Sequence, residues 1–243
     1  MKRFLLVGAS LLAASQLSYA ADNIDIAGLI GQTNAQEQFK SLSKDLGAAL
    51  SYKAVAPAEP LGMIGFDIGI EVTATKLENA KKWSDAVSSG DALDYLYVPK
   101  LHAHKGLPFG IDVGLVYSSV PTTNIKLIGG ELRYAIISGN IAVPAVAVRG
   151  TYTKLSGVDN LSFNTKGLEL SVSKGLTLLT PYAGVGYIWT DSDPSISGLK
   201  KETIRQGKFY IGANLNLALI NLAVEGDQTG SDKSISAKLG LRF

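Results

Sequence analysis

A strict two-residue alternation over residues 234–243 constrains this chain more than any other feature. Ile235, Ala237, Leu239, Leu241 and Phe243 fall on one side of an extended chain, and Ser234, Ser236, Lys238, Gly240 and Arg242 on the other. Successive side chains of a strand point to opposite faces, so this segment suits a sheet with a different solvent on each face. The pattern recurs upstream, where Phe66, Ile68, Ile70 and Val72 alternate with Asp67, Glu71 and Thr73. Apolar residues make up 46% of the chain, yet beyond residue 20 they are scattered through short alternating segments. A spanning helix would need them gathered in a run of about 20. Scattered period-two apolar residues are how a transmembrane barrel is written, although a soluble periplasmic sandwich is strand-rich too.

The first twenty residues are of another kind. Lys2 and Arg3 precede an apolar stretch, Phe4 to Ala14, and the small residues Ser18 and Ala20 stand at the spacing of a cleavage site. This predicts a secretory signal over 1–20, cut before Ala21, and an exported mature chain. Cysteine is absent, which excludes disulfides, thiolate metal sites and a lipid-modified Cys. A net charge of +2 gives no reason to expect a nucleic-acid partner.

With export predicted, the end of the chain takes on more meaning. The alternating segment that closes on Phe243 resembles the terminal strand of Gram-negative outer-membrane β-barrel proteins. The resemblance covers residues 234–243 and is to the class. It implies that Leu239, Leu241 and Phe243 form the signal read by the barrel-assembly machinery. It also implies residence in the outer membrane of a Gram-negative bacterium, among outer-membrane lipids and lipopolysaccharide.

The fold expected is all-β, a transmembrane antiparallel up-and-down barrel of about ten strands, or about twelve, preceded by an amphipathic helix. The organisation is a signal over 1–20, a helical plug segment and linker over 21–61, and the barrel over 62–243. Strands are predicted near 64–76, 95–105, 109–119, 125–137, 143–155, 162–174, 178–190, 205–218, 220–228 and 232–243. Connections near 105–108, 138–142, 173–177 and 219–221 are short, whereas 77–94 and 191–204 are long. Short periplasmic turns and longer external loops are the barrel habit, with both chain ends in the periplasm. The 77–94 loop is expected to hold a helical turn with Trp83, Ala86 and Val87 on one side. Tyr117, Tyr152, Tyr187 and Trp189 fall at the predicted outer strand ends and Phe109 and Phe243 at the inner ends, as in paired aromatic girdles.

The helix is predicted at 35–50, opened by a capping box from Asn34 and Glu37. Phe39, Leu42, Leu46 and Leu50 share one side, with Lys40, Ser41, Lys44 and Asp45 on the other. A linker follows over 56–62. The helix either plugs the barrel, with its charged side meeting lumen carboxylates and arginines, or lies free in the periplasm.

Turning the apolar faces toward lipid assigns the lumen. Its predicted lining comprises Asp67, Glu71, Lys100, Asp112, Glu131, Arg133, Arg149, Glu169, Lys208, Glu225, Lys238 and Arg242. The two signs nearly balance, and small barrels are filled by their own side chains, so ion pairs across the lumen are expected in place of a wide channel. Gly184 and Gly186 fall on the inward side, and Gly110, Gly114 and Gly212 also sit in strands; such glycines leave room for lumen side chains or for the helix.

Candidates for chemistry are few. His102 and His104 share the lumen face. Two imidazoles fall short of the three or more protein ligands of a metal site, although Glu71 or Asp112 on adjacent strands would complete one. No metal and no cofactor is expected, and the Gly-rich segments match no phosphate-binding signature. Outer-membrane proteases and phospholipases are barrels that place an activated His near the outer leaflet. Here both histidines fall at the inner strand end, so a non-enzyme is expected. Asp191 with Asp193 is the remaining acid–base candidate on the outer rim. Lys200, Lys201 and Arg205 are placed to meet lipopolysaccharide phosphates. The functions compatible with all this are a narrow, porin-like pore for an unknown small solute, a structural or surface-interaction barrel, and a barrel hydrolase.

Overall fold

A computed structural model describes residues 26–84, 94–119 and 124–243. The predicted signal segment, its cleavage site, Ala86 and Val87 lie outside the described residues. Ten strands follow one another: β1 (Phe66–Lys76), β2 (Tyr95–Gly106), β3 (Ile111–Ser119), β4 (Lys126–Ile137), β5 (Ala145–Ser156), β6 (Leu161–Ser173), β7 (Leu179–Pro194), β8 (Glu202–Leu217), β9 (Ile220–Thr229) and β10 (Asp232–Arg242). Each pairs antiparallel with its sequence neighbours, and β1 pairs with β10, so the sheet closes on itself. Closure removes both free edges, which a bilayer would leave without hydrogen-bond partners. At the seam Phe66 and Phe243 exchange backbone hydrogen bonds of 3.0 and 2.9 Å, and their rings stack with centroids 5.9 Å apart.

The alternation of the sequence becomes the two faces of this wall. Ile68, Ile70, Leu101, Leu115, Leu132, Leu168 and Val224 are exposed on the outside, while Asp67, Glu71, Arg133, Arg149 and Glu169 are buried inside. An apolar exterior of this extent is out of place in water and matched in hydrocarbon. The chain is therefore a transmembrane β-barrel of the outer-membrane class. Among the described residues no helix is long and apolar enough to cross a membrane.

Two strands depart from expectation. β7 runs to Pro194 and β8 begins at Glu202, so the long loop expected at 191–204 shrinks to 195–201. Asp191 is a strand residue that accepts hydrogen bonds from Thr203 Oγ1 (2.9 Å) and Lys166 Nζ (3.2 Å). These cross-strand pairs extend the ladder beyond the apolar belt. In β2, Pro99 pairs with β1 but lies beyond the ladder to β3, which joins β2 only over Leu101–Gly106. Proline lacks the N–H that a further neighbour would have required.

The helix forms as α1 (Ala35–Leu50), after a 3-10 turn at Ile26–Leu29. Its capping box does not form: the Asn34 side chain accepts from Gln38 Nε2 at 3.0 Å, and Glu37 is exposed. The apolar side of α1, Phe39, Leu42, Leu46 and Leu50, packs against Leu77, Trp83, Leu96, Leu127 and Phe163. All five belong to the strand ends and loops of the long-loop mouth. From there residues 51–61 run down the lumen, and β1 starts at the short-turn end. The predicted linker is thus an internal strap. The described N-terminal residues stand at the opposite mouth from Phe243, in place of the common periplasmic side expected for both ends. The reason is reach: extended chain covers about 3.3 Å per residue, enough for this segment to cross a hydrocarbon layer of about 30 Å.

Candidate functional site

The strap and the wall that grips it form the polar centre of the molecule. Ser51 through Ala58 are all buried. An extended segment in a barrel has no strand partner, so its peptide groups need other ones. The wall supplies them. The Leu50 carbonyl accepts from Thr153 Oγ1 (3.0 Å), that of Tyr52 from Lys208 Nζ (3.0 Å), that of Ala56 from Arg149 Nη2 (3.5 Å) and that of Pro57 from Arg133 Nη1 (2.5 Å). Lower down, the Glu59 N–H donates to Ser173 Oγ (3.2 Å) and the Leu61 N–H to Asp112 Oδ1 (3.1 Å). Pro57 and Pro60 have no N–H to satisfy. Two strap side chains also reach the wall. Lys53 Nζ lies 2.9 Å from Asp227 Oδ2, and the Tyr52 hydroxyl 3.1 Å from His104 Nε2. Gly114 makes that second contact possible, since a Cβ there would sit 2.6 Å from the hydroxyl and 2.1 Å from the imidazole.

Around the strap the wall charges pair with one another. Lys100 meets Glu71 at 2.7 Å, and the same carboxylate contacts His102 Nδ1 at 3.2 Å. His102 Nε2 lies 2.7 Å from His104 Nδ1, and His104 Nε2 lies 3.2 Å from Glu131. Glu131 faces Arg149 Nε (3.1 Å), whose Nη1 faces Glu169 (3.2 Å), which in turn holds Lys208 (2.7 Å). Arg133 grips Asp112 through Nε and Nη2, and Lys238 meets Asp67 at 2.6 Å. A charge moved out of water is costly unless paired, and here each of these links sets a charge against an opposite one. A proton on His102 Nδ1 facing Glu71 leaves His102 Nε2 to accept from His104 Nδ1; His104 Nε2 then accepts from the Tyr52 hydroxyl and has no proton to give Glu131.

The structure brings eleven of the predicted lumen residues onto the buried inner face: Asp67, Glu71, Lys100, Asp112, Glu131, Arg133, Arg149, Glu169, Lys208, Glu225 and Lys238. Arg242 stands at the rim, 3.7 Å from Asp67 with its side chain 12% exposed. The inward glycines serve wall side chains, not the helix. Gly184 faces the Tyr210 ring, Gly212 faces Tyr182, and Gly186 faces the backbone and side chain of β6. The helix has its own close approach at Gly47, where a Cβ would lie 2.3 Å from Thr190 Oγ1. Its charged side does not reach the lumen arginines. Lys40 is exposed, and Asp45 accepts from Asn79 Nδ2 (2.7 Å) and Trp83 Nε1 (2.8 Å) of the long loop. Burial raises the Asp45 carboxyl above its ordinary pKa, against the lowering effect of these donors. Among the described residues no cluster of three or more His, Cys, Asp or Glu is arranged to hold a metal ion.

Sequence reasoning passed over Tyr52, Lys53 and Asp227. A signal was present in the apolar run Ala54-Val55-Ala56-Pro57-Ala58, which is unusually water-averse for an exposed linker.

Comparison with known proteins adds the company this architecture keeps. The N-terminal β-barrel domain of Pseudomonas aeruginosa OprF is 12% identical, with 75% of this chain and 99% of that one covered, at a TM-score of 0.36. The outer membrane protein OprG of Pseudomonas aeruginosa is 13% identical over 77% and 99%, at 0.33. The outer membrane protease OmpT of Escherichia coli is 8% identical over 74% and 95%, at 0.38. Likenesses of this degree say nothing about activity. No protein-family model and no curated protein matches the chain.

Proposed function

We propose that this protein is a plugged barrel of the Gram-negative outer membrane that does not conduct at rest and serves a structural or surface-presenting role. One observation carries the reading: the strap from Ser51 to Ala58 occupies the lumen, buried and bonded to the wall along its length. Ion flow past it would require those bonds to break together. A non-enzymatic role is supported by the histidines, which are buried against Glu71, Tyr52 and Glu131 in the lumen and are absent from the long-loop rim. Asp191, the rim carboxylate, is occupied by Lys166 and Thr203.

Planar-bilayer recording tests this. The full chain is expected to give no steady open-channel current, and a chain lacking residues 21–61 is expected to conduct once its barrel is shown to be folded by heat-modifiable gel mobility. Removing 21–50 alone should leave the strap in place and raise conductance less. Steady conductance from the full chain would overturn the reading, as would a folded 21–61 deletion that stays silent.

A further inference from the structure

The outer wall of β5 to β8 carries a row that neither the plug nor the barrel closure uses. Tyr152, Lys166, Trp189 and Arg205 are direct register partners across four adjacent strands and all point outward. Aromatic and cation therefore alternate along the row, with neighbouring side chains about 5 Å apart. Below it, toward the short turns, the outward positions of these strands are apolar or glycine, as at Val148, Leu168, Val185 and Phe209. Above it they turn polar, as at Lys154, Asn164, Asp191 and Thr203. The row thus marks the boundary between hydrocarbon and water on the long-loop side, where amphipathic rings settle.

Arg205 packs over an aromatic ring beside this row. Its guanidinium carbon lies 3.8 Å from the Tyr187 ring centroid and 5.9 Å from that of Trp189. Stacking on a ring face leaves the edge N–H groups pointing away from it, in the fork that matches a phosphate. Lys166 stands on the other side of Trp189 and is 59% exposed, its ammonium shared with Asp191 at 3.2 Å. A second feature adjoins the first. Gly207 is the next outward residue below Arg205, and a Cβ there would meet nothing within 4 Å. The missing side chain opens a shallow groove of about 380 Å³ between Tyr187, Phe209 and Gln228. It lies just below the cationic row, bounded on its far side by Gln228 and by Gly230 of the β9–β10 turn.

We infer that this face of β5 to β8 binds a phosphate-bearing lipid of the leaflet beside the long loops, namely lipopolysaccharide. Its headgroup phosphate lies on Arg205 and Lys166, and an acyl chain lies in the Gly207 groove. Charge complementarity supplies the headgroup contact, and the groove supplies a chain contact that a free phosphate could not use. The site is independent of the strap. Lys200, whose backbone is bonded to Gln36, and Lys201 lie in the loop above.

The test is native mass spectrometry of the purified full chain in detergent, presented separately with lipopolysaccharide, its dephosphorylated form and phosphatidylglycerol. The wild type is expected to retain lipopolysaccharide at least tenfold better than either of the others. The Arg205→Gln/Lys166→Gln pair should lose that preference, each single change should lose part of it, and Lys233→Gln on β10 should keep it. Gly207→Leu, which has room, should weaken retention several-fold by filling the groove. Barrel folding is checked in each case by heat-modifiable mobility. Equal retention of the phosphorylated and dephosphorylated forms overturns the proposal. So does equal retention of phosphatidylglycerol, or a folded double variant that binds as the wild type does, or a loss with Lys233→Gln as large as with the pair.

Discussion

At the long-loop mouth Phe39, Leu42 and Leu46 of α1 lie among Leu77, Trp83, Leu96 and Phe163. Further down the same lumen, the strap lies among Arg133, Arg149, Lys208, Asp112 and Asp227. Both regions exclude water, by different means. The mouth is closed by apolar area, a non-directional contribution of about 25 cal/mol for each Å² buried. The strap is closed by hydrogen bonds and ion pairs that have one geometry. A helix held by apolar contact can shift by a fraction of a turn at small cost. A strap held through named carbonyls cannot slide without leaving a cation or a peptide group unpaired in a region buried from bulk solvent. The contrast also explains why the helix rides on the strap: the apolar mouth closes the entrance, and the polar lumen fixes which residues stand there.

The sharpest way to break this contrast is to remove one link of the polar chain. Arg149→Met leaves Glu131 with His104 alone and Glu169 with Lys208 alone, and frees the Ala56 carbonyl. The expected loss is about 3–5 kcal/mol, the range for breaking a buried pair from one side. Urea-dependent refolding into lipid vesicles reads it, and a loss below that of an apolar truncation at the mouth would reverse the ranking of the two regions.

That apolar counterpart is Leu42→Ala. Leu42 is fully buried in the mouth cluster, and truncation should cost about 3 kcal/mol, since the surroundings collapse only in part. The same titration measures it. Protection of the α1 backbone against hydrogen exchange should fall while that of the strap is retained, because the strap's bonds do not involve Leu42. Equal loss of protection in both would show that the two regions act as one unit.

The smallest effect concerns Asp45, buried in the mouth beside a second buried carboxyl, Asp232. Its pKa is raised in the folded state, so the folded chain binds more protons than the unfolded chain between the ordinary carboxylate value and the raised one. Stability from this group is therefore greatest at low pH and falls as pH rises through that window. Asp45→Asn keeps an oxygen for Trp83 Nε1 and removes this group's own titration, leaving that of its neighbour Asp232. Docking of α1, followed by Trp fluorescence across the acidic range, should lose part of its pH dependence. An unchanged profile would place the titration elsewhere in the mouth.

Much of this architecture was legible beforehand because it is local. Alternation has a period of two, so Ile68 and Ile70 declare their face without knowledge of any partner. The number of strands, the inward charges and the helix over 35–50 follow from short windows in the same way, whereas the outer ends of β7 and β8 do not. The fate of residues 51–61 did not. An extended segment with two prolines reads alike whether it crosses water or a lumen, and only its burial distinguishes the two. Partner choice was hidden too. Lys238 finds Asp67 at a separation of 171 residues and Lys53 finds Asp227 at 174, distances that only ring closure and threading bring to contact. The sequence by itself determined which side chains face lipid and which face inward, because pleat geometry enforces that one residue at a time. Tertiary structure alone decided which charges meet and that the chain passes through its own barrel, because both depend on the closed circumference and not on any stretch of it.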